Sequence, residues 1–207
     1  MSFEADVLGH RYIYLPWVDG KSSFKLAPEL AVLIAQRRRL PLTVVAVRKN
    51  AVPRELSRHP SVTERSGYVP DGGVVLAHCP TYKVAEKLAH LENSVVVLAE
   101  WATERFEGWA RLNGAYNVVT RTTMQDGLTE PGRAALDDIT FDGYKGWDDE
   151  ISVRLTLKRL ADLEQLGEYD RELVLAFARR ERGENGIRRL YPLLDRFEDQ
   201  RAASVLR

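Results

Sequence analysis

Two short, continuously apolar runs separated by about the length of one helix constrain this chain more than any other feature. Residues 74–77 (Val-Val-Leu-Ala) and 95–99 (Val-Val-Val-Leu-Ala) show no alternation of polar and apolar positions, so both faces of each run must be buried. The stretch between them places Val84, Leu88 and Leu91 on one face of a helix over 81–91. A strand, a crossover helix and a second strand of the same direction satisfy all three patterns.

The same reading extends along the first half. Residues 11–15 predict a first strand and 42–47, rich in β-branched residues, a second; 116–120 read as a short fifth. Between the first two, Leu26, Leu30, Leu33 and Ile34 form a helical stripe, with Pro28 expected in its first turn and Arg37–Arg39 at its exposed end. A further helix is expected where Ala102, Phe106 and Trp109 share a face, ended by Asn113-Gly114. Pro53, Pro60, Gly67, Pro70 and Gly72-Gly73 break up residues 50–73, leaving room for one short helix around 54–58 in an otherwise long loop.

The expected fold class is therefore α/β, a Rossmann-like and mostly parallel sheet flanked by helices, with a C-terminal helical subdomain. The sheet domain is assigned to residues 1–122. Residues 123–149 are rich in carboxylates and glycine and read as a linker with one turn of helix near 133–136. Residues 150–207 form the helical subdomain, with helices expected over 151–166, 170–182 and 187–203, Asp170 as a cap and Gly167 and Gly183 as stops. Within the linker, Phe141-Asp-Gly-Tyr-Lys-Gly-Trp147 carries aromatics that must dock or lie exposed, and docking that fixes the helices on the sheet is the expectation.

Composition excludes several classes. Thirty basic residues balance thirty acidic ones, so no global field drives adhesion to nucleic acid or lipid, although a local patch is compatible with that balance. No apolar run approaches the roughly 20 residues of a membrane span. One cysteine, Cys79, excludes an internal disulfide framework and a multi-cysteine zinc site, and no histidine spacing suggests metal ligands. The N-terminus has no secretory pattern, so a cytoplasmic protein is expected, without a membrane partner and with no cofactor identified.

In a parallel sheet the strand C-terminal ends share one edge, where ligands bind. The strands above place Trp17 and Asp19, Arg48 and Lys49, His78, Cys79 and Thr81, Glu100 and Trp101, and Arg121 on that edge. A thiol at a helix start beside an imidazole is a candidate nucleophile, whereas strand alternation sends His78 and Cys79 to opposite faces and favours a small buried cysteine. Thr81 serves as helix cap or ligand contact. Glu100-Trp101 offers a base or ribose-binding acid with a stacking indole, or else a strand-end charge followed by a core tryptophan. Gly72-Gly73 precedes its strand, unlike the glycines of dinucleotide or P-loop sites.

Residues 75–88, Val-Leu-Ala-His-Cys-Pro-Thr-Tyr-Lys-Val-Ala-Glu-Lys-Leu, resemble the strand, Cys-Pro-Thr-type turn and helix that open the second RecA-like half of superfamily-two helicases. The arginine-finger motif of those enzymes has no counterpart here, so the resemblance stands for a shared strand–turn–helix arrangement.

Three functional classes follow. The first is a module binding a nucleotide-like or nucleic-acid-derived anionic ligand, held by Arg48, Lys49 and Arg121 and stacked on Trp17 or Trp101. The second is a hydrolase or transferase using Cys79, with His78, or Glu100 at the same edge. The third is an assembly protein whose C-terminal helices, through Phe177 or Leu194, bind a partner chain.

Overall fold

The computed structural model describes residues 3–18 and 23–205, which fall into two compact units divided after Gln125. The first unit opens with α1 (Phe3–Leu8), β1 (Tyr12–Leu15), α2 (Ser23–Arg38) and β2 (Leu42–Ala46). It continues through two 3₁₀ turns, β3 (Ser61–Thr63), β4 (Val74–His78), α3 (Tyr82–Ala85), a 3₁₀ turn at Glu86–Leu88, β5 (Val95–Ala99), α4 (Glu107–Leu112), β6 (Tyr116–Asn117) and β7 (Thr122–Thr123). These strands make one sheet in the order β3-β2-β4-β5-β1-β6-β7. All neighbours pair parallel except β6 and β7. The architecture is the expected α/β, Rossmann-like one.

Register explains the continuous apolar runs. Val74–His78 pairs residue for residue with Leu42–Ala46 on one side and with Val95–Ala99 on the other, so β4 lies in the sheet interior and every residue of β2, β4 and β5 is buried. One face, carrying Ile13, Leu15, Val44, Leu76 and Val97, is covered by Ala27, Leu30, Ala31 and Ile34 of α2. The other, carrying Tyr14, Val75, Ala77, Val96 and Leu98, is covered by Val84, Leu88, Phe106 and Ala110. Gly73 is needed where β4 begins, because a Cβ there would lie 2.8 Å from the Pro41 carbonyl that accepts the Val74 amide.

Several local expectations change. Helix α2 starts at Ser23, so Pro28 sits inside it and not in its first turn. The expected helix over 81–91 is one α-turn plus a 3₁₀ turn. Ala102 is exposed ahead of α4, in a turn closed by a Trp101–Glu104 bridge. The broken segment 50–73 holds an edge strand, β3, as well as the short turn at Arg54–Leu56.

The second unit contains α5 (Glu130–Asp142), α6 (Glu150–Gln165), α7 (Arg171–Gly186, kinked at Gly183) and α8 (Leu190–Val205). The region read as an acidic linker with one helical turn thus holds a 13-residue helix. Thr129 caps it by accepting from the Gly132 amide, and its buried positions 132, 135, 136, 139 and 140 follow a helical stripe that packs on α6 and α7. Asp170 caps α7 as expected, at 3.1 Å from the Leu173 amide. Trp147 docks inside this unit: its indole N–H donates to Thr156 at 2.9 Å, and the ring fills the space a Cβ on Gly143 would take. Phe141 and Tyr144 are 75% and 72% exposed. No described helix is long and apolar enough to cross a membrane.

At the N-terminal edge of the sheet, Asp71 joins the entries of β4 and β5. Its carboxylate accepts from the Ser94 hydroxyl at 2.8 Å and from the amides of Gly72, Glu92 and Asn93. The Ser94 and Asn93 hydrogen bonds hold its pKa well below the usual carboxylate range. A depressed native pKa stabilises above the unfolded value, about 3.9, and that contribution fades as pH falls below it. Asp71→Asn is expected to lower Tm at neutral pH, with the gap from wild type closing as pH drops from about 4 toward about 2 in thermal melts.

Candidate functional site

The rim where the parallel strands end is organised by a buried carboxylate. Glu100, the residue after β5, is 2% exposed. Its Oε1 accepts from the Tyr14 hydroxyl at 2.8 Å and the Phe106 amide at 2.5 Å; its Oε2 accepts from the Trp17 amide at 2.8 Å and pairs with Arg105 at 3.3 Å. Burial, then the Glu100 charge, pushes the Tyr14 phenol pKa far up, so it remains a donor. Donors from β1, from the segment after it and from the start of α4 all converge here, which satisfies a charge that would otherwise be costly to bury.

Glu100 thereby positions two indoles. Trp101 is its neighbour in sequence, and Trp17 is pinned through its amide to Glu100 and through its carbonyl to Arg105 at 3.3 Å. The rings meet at 5.0 Å with planes at 59°, and Trp101 remains 39% exposed. Each of these contacts ties Glu100 to the fold.

His78 and Cys79 diverge, as alternation requires. His78, 8% exposed, turns Nδ1 toward the Ala51 carbonyl at 3.2 Å on the α2 side. Cys79 continues the ladder through its amide to the Ala99 carbonyl, then adopts a left-handed φ of 50°. Burial pushes its thiol up to about 12. Thr81 caps α3 by accepting from the Val84 amide at 3.3 Å.

Sheet order identifies the crevice. The connections after β1 and β2 run toward β3 and pack on the α2 face; those after β4 and β5 run toward β7 on the opposite face. Adjacent strands β2 and β4 therefore send their chains in opposite directions, as do β5 and β1, and such switch points are where open α/β sheets take ligands. Arg48 and Lys49 leave β2 there, both exposed, and Cys79-Pro80-Thr81 leaves β4. Arg121 lies at the other end, after β6, with φ 57° and its guanidinium 5.6 Å from the centroid of the Phe3 ring. Asp19 lies outside the described residues.

Two rim residues were not assigned from sequence. Arg65 was visible only as one member of a basic cluster; the short strand β3 places it on the rim, exposed. Arg105 is the ionic partner of Glu100, and a buried Tyr14 on β1, which needs an acceptor, was the available hint. Among the described residues, Arg48, Lys49, Arg65 and Arg121 form no ion pair; of the acids nearby, Glu64 pairs with Lys83, Glu104 accepts from the Tyr82 amide and Glu100 is held as above, while Glu107 stays exposed beside Tyr14. No group of three or more His, Cys, Asp or Glu side chains that could hold a metal occurs among the described residues.

In the helical unit, Phe177 and Leu194, expected as docking residues, are buried in the unit's own core. The exposed large apolar side chains of this unit are instead Phe141, Tyr144, Ile151 and Leu166, and Ile151 lies beside Val153, Leu157, Arg154 and Arg196 in a cleft of about 360 Å³ along α6 and α8.

The fold and rim define an α/β protein with a Rossmann-like parallel sheet and a helical C-terminal unit. No family model, characterised protein or solved structure matches the chain.

Two outcomes follow from this geometry. With a pKa of about 12 for its thiol, Cys79 is expected to alkylate at least about 100-fold more slowly in the folded protein near neutral pH than in urea, followed by mass spectrometry with iodoacetamide. Glu100→Gln places an amide N–H₂ among donors, and is expected to cost about 2–4 kcal/mol in urea unfolding and to weaken the near-ultraviolet signal of the Trp17–Trp101 pair.

Proposed function

We propose that the first unit is a binding module that accepts a nucleotide-like or nucleic-acid-derived anionic ligand along its strand C-terminal rim. The observation that carries this reading is the charge inventory of the rim: among the described residues, exposed Arg48 and Lys49 at a switch point, with Arg65 and Arg121, form no ion pair, and an indole pair of which Trp101 is exposed stands between the two ends. Unpaired guanidinium and ammonium groups suit phosphate, and an indole face suits a base. Arg48, Lys49 and Arg121 hold charge; Trp101, packed on Trp17, stacks; Thr81 borders the crevice while capping its helix. A protonated thiol and a fully engaged Glu100 support binding over nucleophilic or acid–base catalysis by these groups.

Thermal shift assays at about 50 mM salt with mononucleotides, dinucleotides and short oligonucleotides test the reading, because phosphate contacts weaken steeply as salt rises. A rise in Tm with at least one of these probes is expected, and the double variant Arg48→Ala/Lys49→Ala is expected to reduce it strongly without altering the unliganded Tm. No shift with any probe overturns the proposal.

A further inference from the structure

The spacing of the unpaired cations carries the reading one step further. Resting on the nucleic-acid reading of the rim, we propose that its ligand is a single strand of several nucleotides, laid across the strand ends from β2 to β6, and not a mononucleotide in a closed pocket.

The distances come from the sheet itself. Neighbouring strands lie about 4.8 Å apart, so the exits of β2 and β6, separated by four steps in the order β2-β4-β5-β1-β6, stand about 19 Å from one another. Arg48 and Lys49 mark the first exit and Arg121 the second; Arg65, beyond β2 at the exit of β3, lengthens the row. The Arg121 guanidinium is held over Phe3, so it stays at its own end of the rim. One phosphate group cannot reach both ends. Phosphates along one strand advance by about 3.4 Å per nucleotide when the bases stack, so about 19 Å corresponds to no more than roughly six nucleotides, fewer if the strand is extended.

Between the two cationic ends the described rim carries the Trp17–Trp101 pair. Trp17 and Trp101 sit over the exits of β1 and β5, and the nearby carboxylates of Glu100 and Glu104 are turned into hydrogen bonds with the fold. An indole face accepts any base, which calls for an unpaired base and therefore a single strand. Cations at both ends with stacking between them is the arrangement by which single strands are held without sequence readout.

The test uses the full chain and oligothymidylates of one to ten nucleotides, read by quenching of tryptophan fluorescence and by anisotropy of a labelled strand. Affinity is expected to rise with length to about four to six nucleotides and then level off. The slope of log K against log salt for the longer strands is expected near −2 to −3, as three or four phosphate contacts to a single strand require. Trp101→Ala is expected to weaken binding about 5- to 100-fold, and Arg121→Ala to remove the gain from lengthening beyond two or three nucleotides while keeping the wild-type circular dichroism spectrum. Thymidine monophosphate binding as tightly as the longer strands, or a duplex of equal length binding as tightly as the single strand, overturns the extended-strand inference and leaves nucleotide binding standing. Failure of every length and of every mononucleotide overturns both.

Discussion

The rim of this sheet depends on one buried carboxylate. An ion taken out of water is tolerated only where donors replace its hydration, and Glu100 finds four: a phenol from inside β1, an amide from the segment after β1, an amide at the start of α4 and a half-exposed guanidinium. The most distant of these donors, Tyr14, is 86 residues from Glu100 in sequence. Their convergence ties the exit of β1 to that of β5 and fixes where α4 begins. The two indoles that flank this cluster inherit its rigidity, so the exposed face of Trp101 is presented by a framework rather than by a free loop.

The opposite edge is joined differently. Asp71 gathers the entries of β4 and β5 with neutral donors, backbone amides and a hydroxyl, and needs no cation. At the exit of β3, Lys87 spends its ammonium on the carbonyls of Thr63, Ser66 and Gly67, bracing the turn after β3 against the helix that follows β4. Each charge used in this way is satisfied within the fold and contributes little field outside it. What remains outside on the rim is the set of cations that were given no such task.

How much of this the sequence disclosed follows from which interactions are local. Continuous apolar runs revealed β2, β4 and β5 because burial on both faces leaves its mark within five residues. Strand β3 stayed hidden: three residues on a sheet edge, bounded by Pro60 and Gly67, carry too short a pattern. Helix α5 was legible in principle, since positions 132, 135, 136, 139 and 140 share a face, yet two of the five are Gly and Thr and acidic neighbours dominate the composition. The rim residues Trp17, Arg48, Lys49, Thr81, Trp101 and Arg121 could be placed at strand ends because exits of parallel strands must coincide. The role of Glu100 could not, because its meaning lies in Tyr14, Trp17 and Phe106, brought to it only by sheet order. Cys79 shows the same limit: its sequence context, a thiol beside an imidazole before a helix, says nothing of the burial that keeps it protonated.

A chain with equal numbers of acidic and basic residues has no net field with which to attract an anion, so any attraction must come from how its charges are distributed. Here the distribution follows from burial. Of the carboxylates nearest the strand ends, Glu100 lies inside the fold, Glu104 caps the chain at Tyr82, and Glu64 pairs with Lys83, which leaves them little to offer an approaching cation. Arg48, Lys49, Arg65 and Arg121 are exposed and form no ion pair among the described residues. The proposed anionic ligand would draw on these four cations, and the hydrogen bonds that stabilise the strand ends keep the carboxylates of Glu100 and Glu104 turned into the fold beside them.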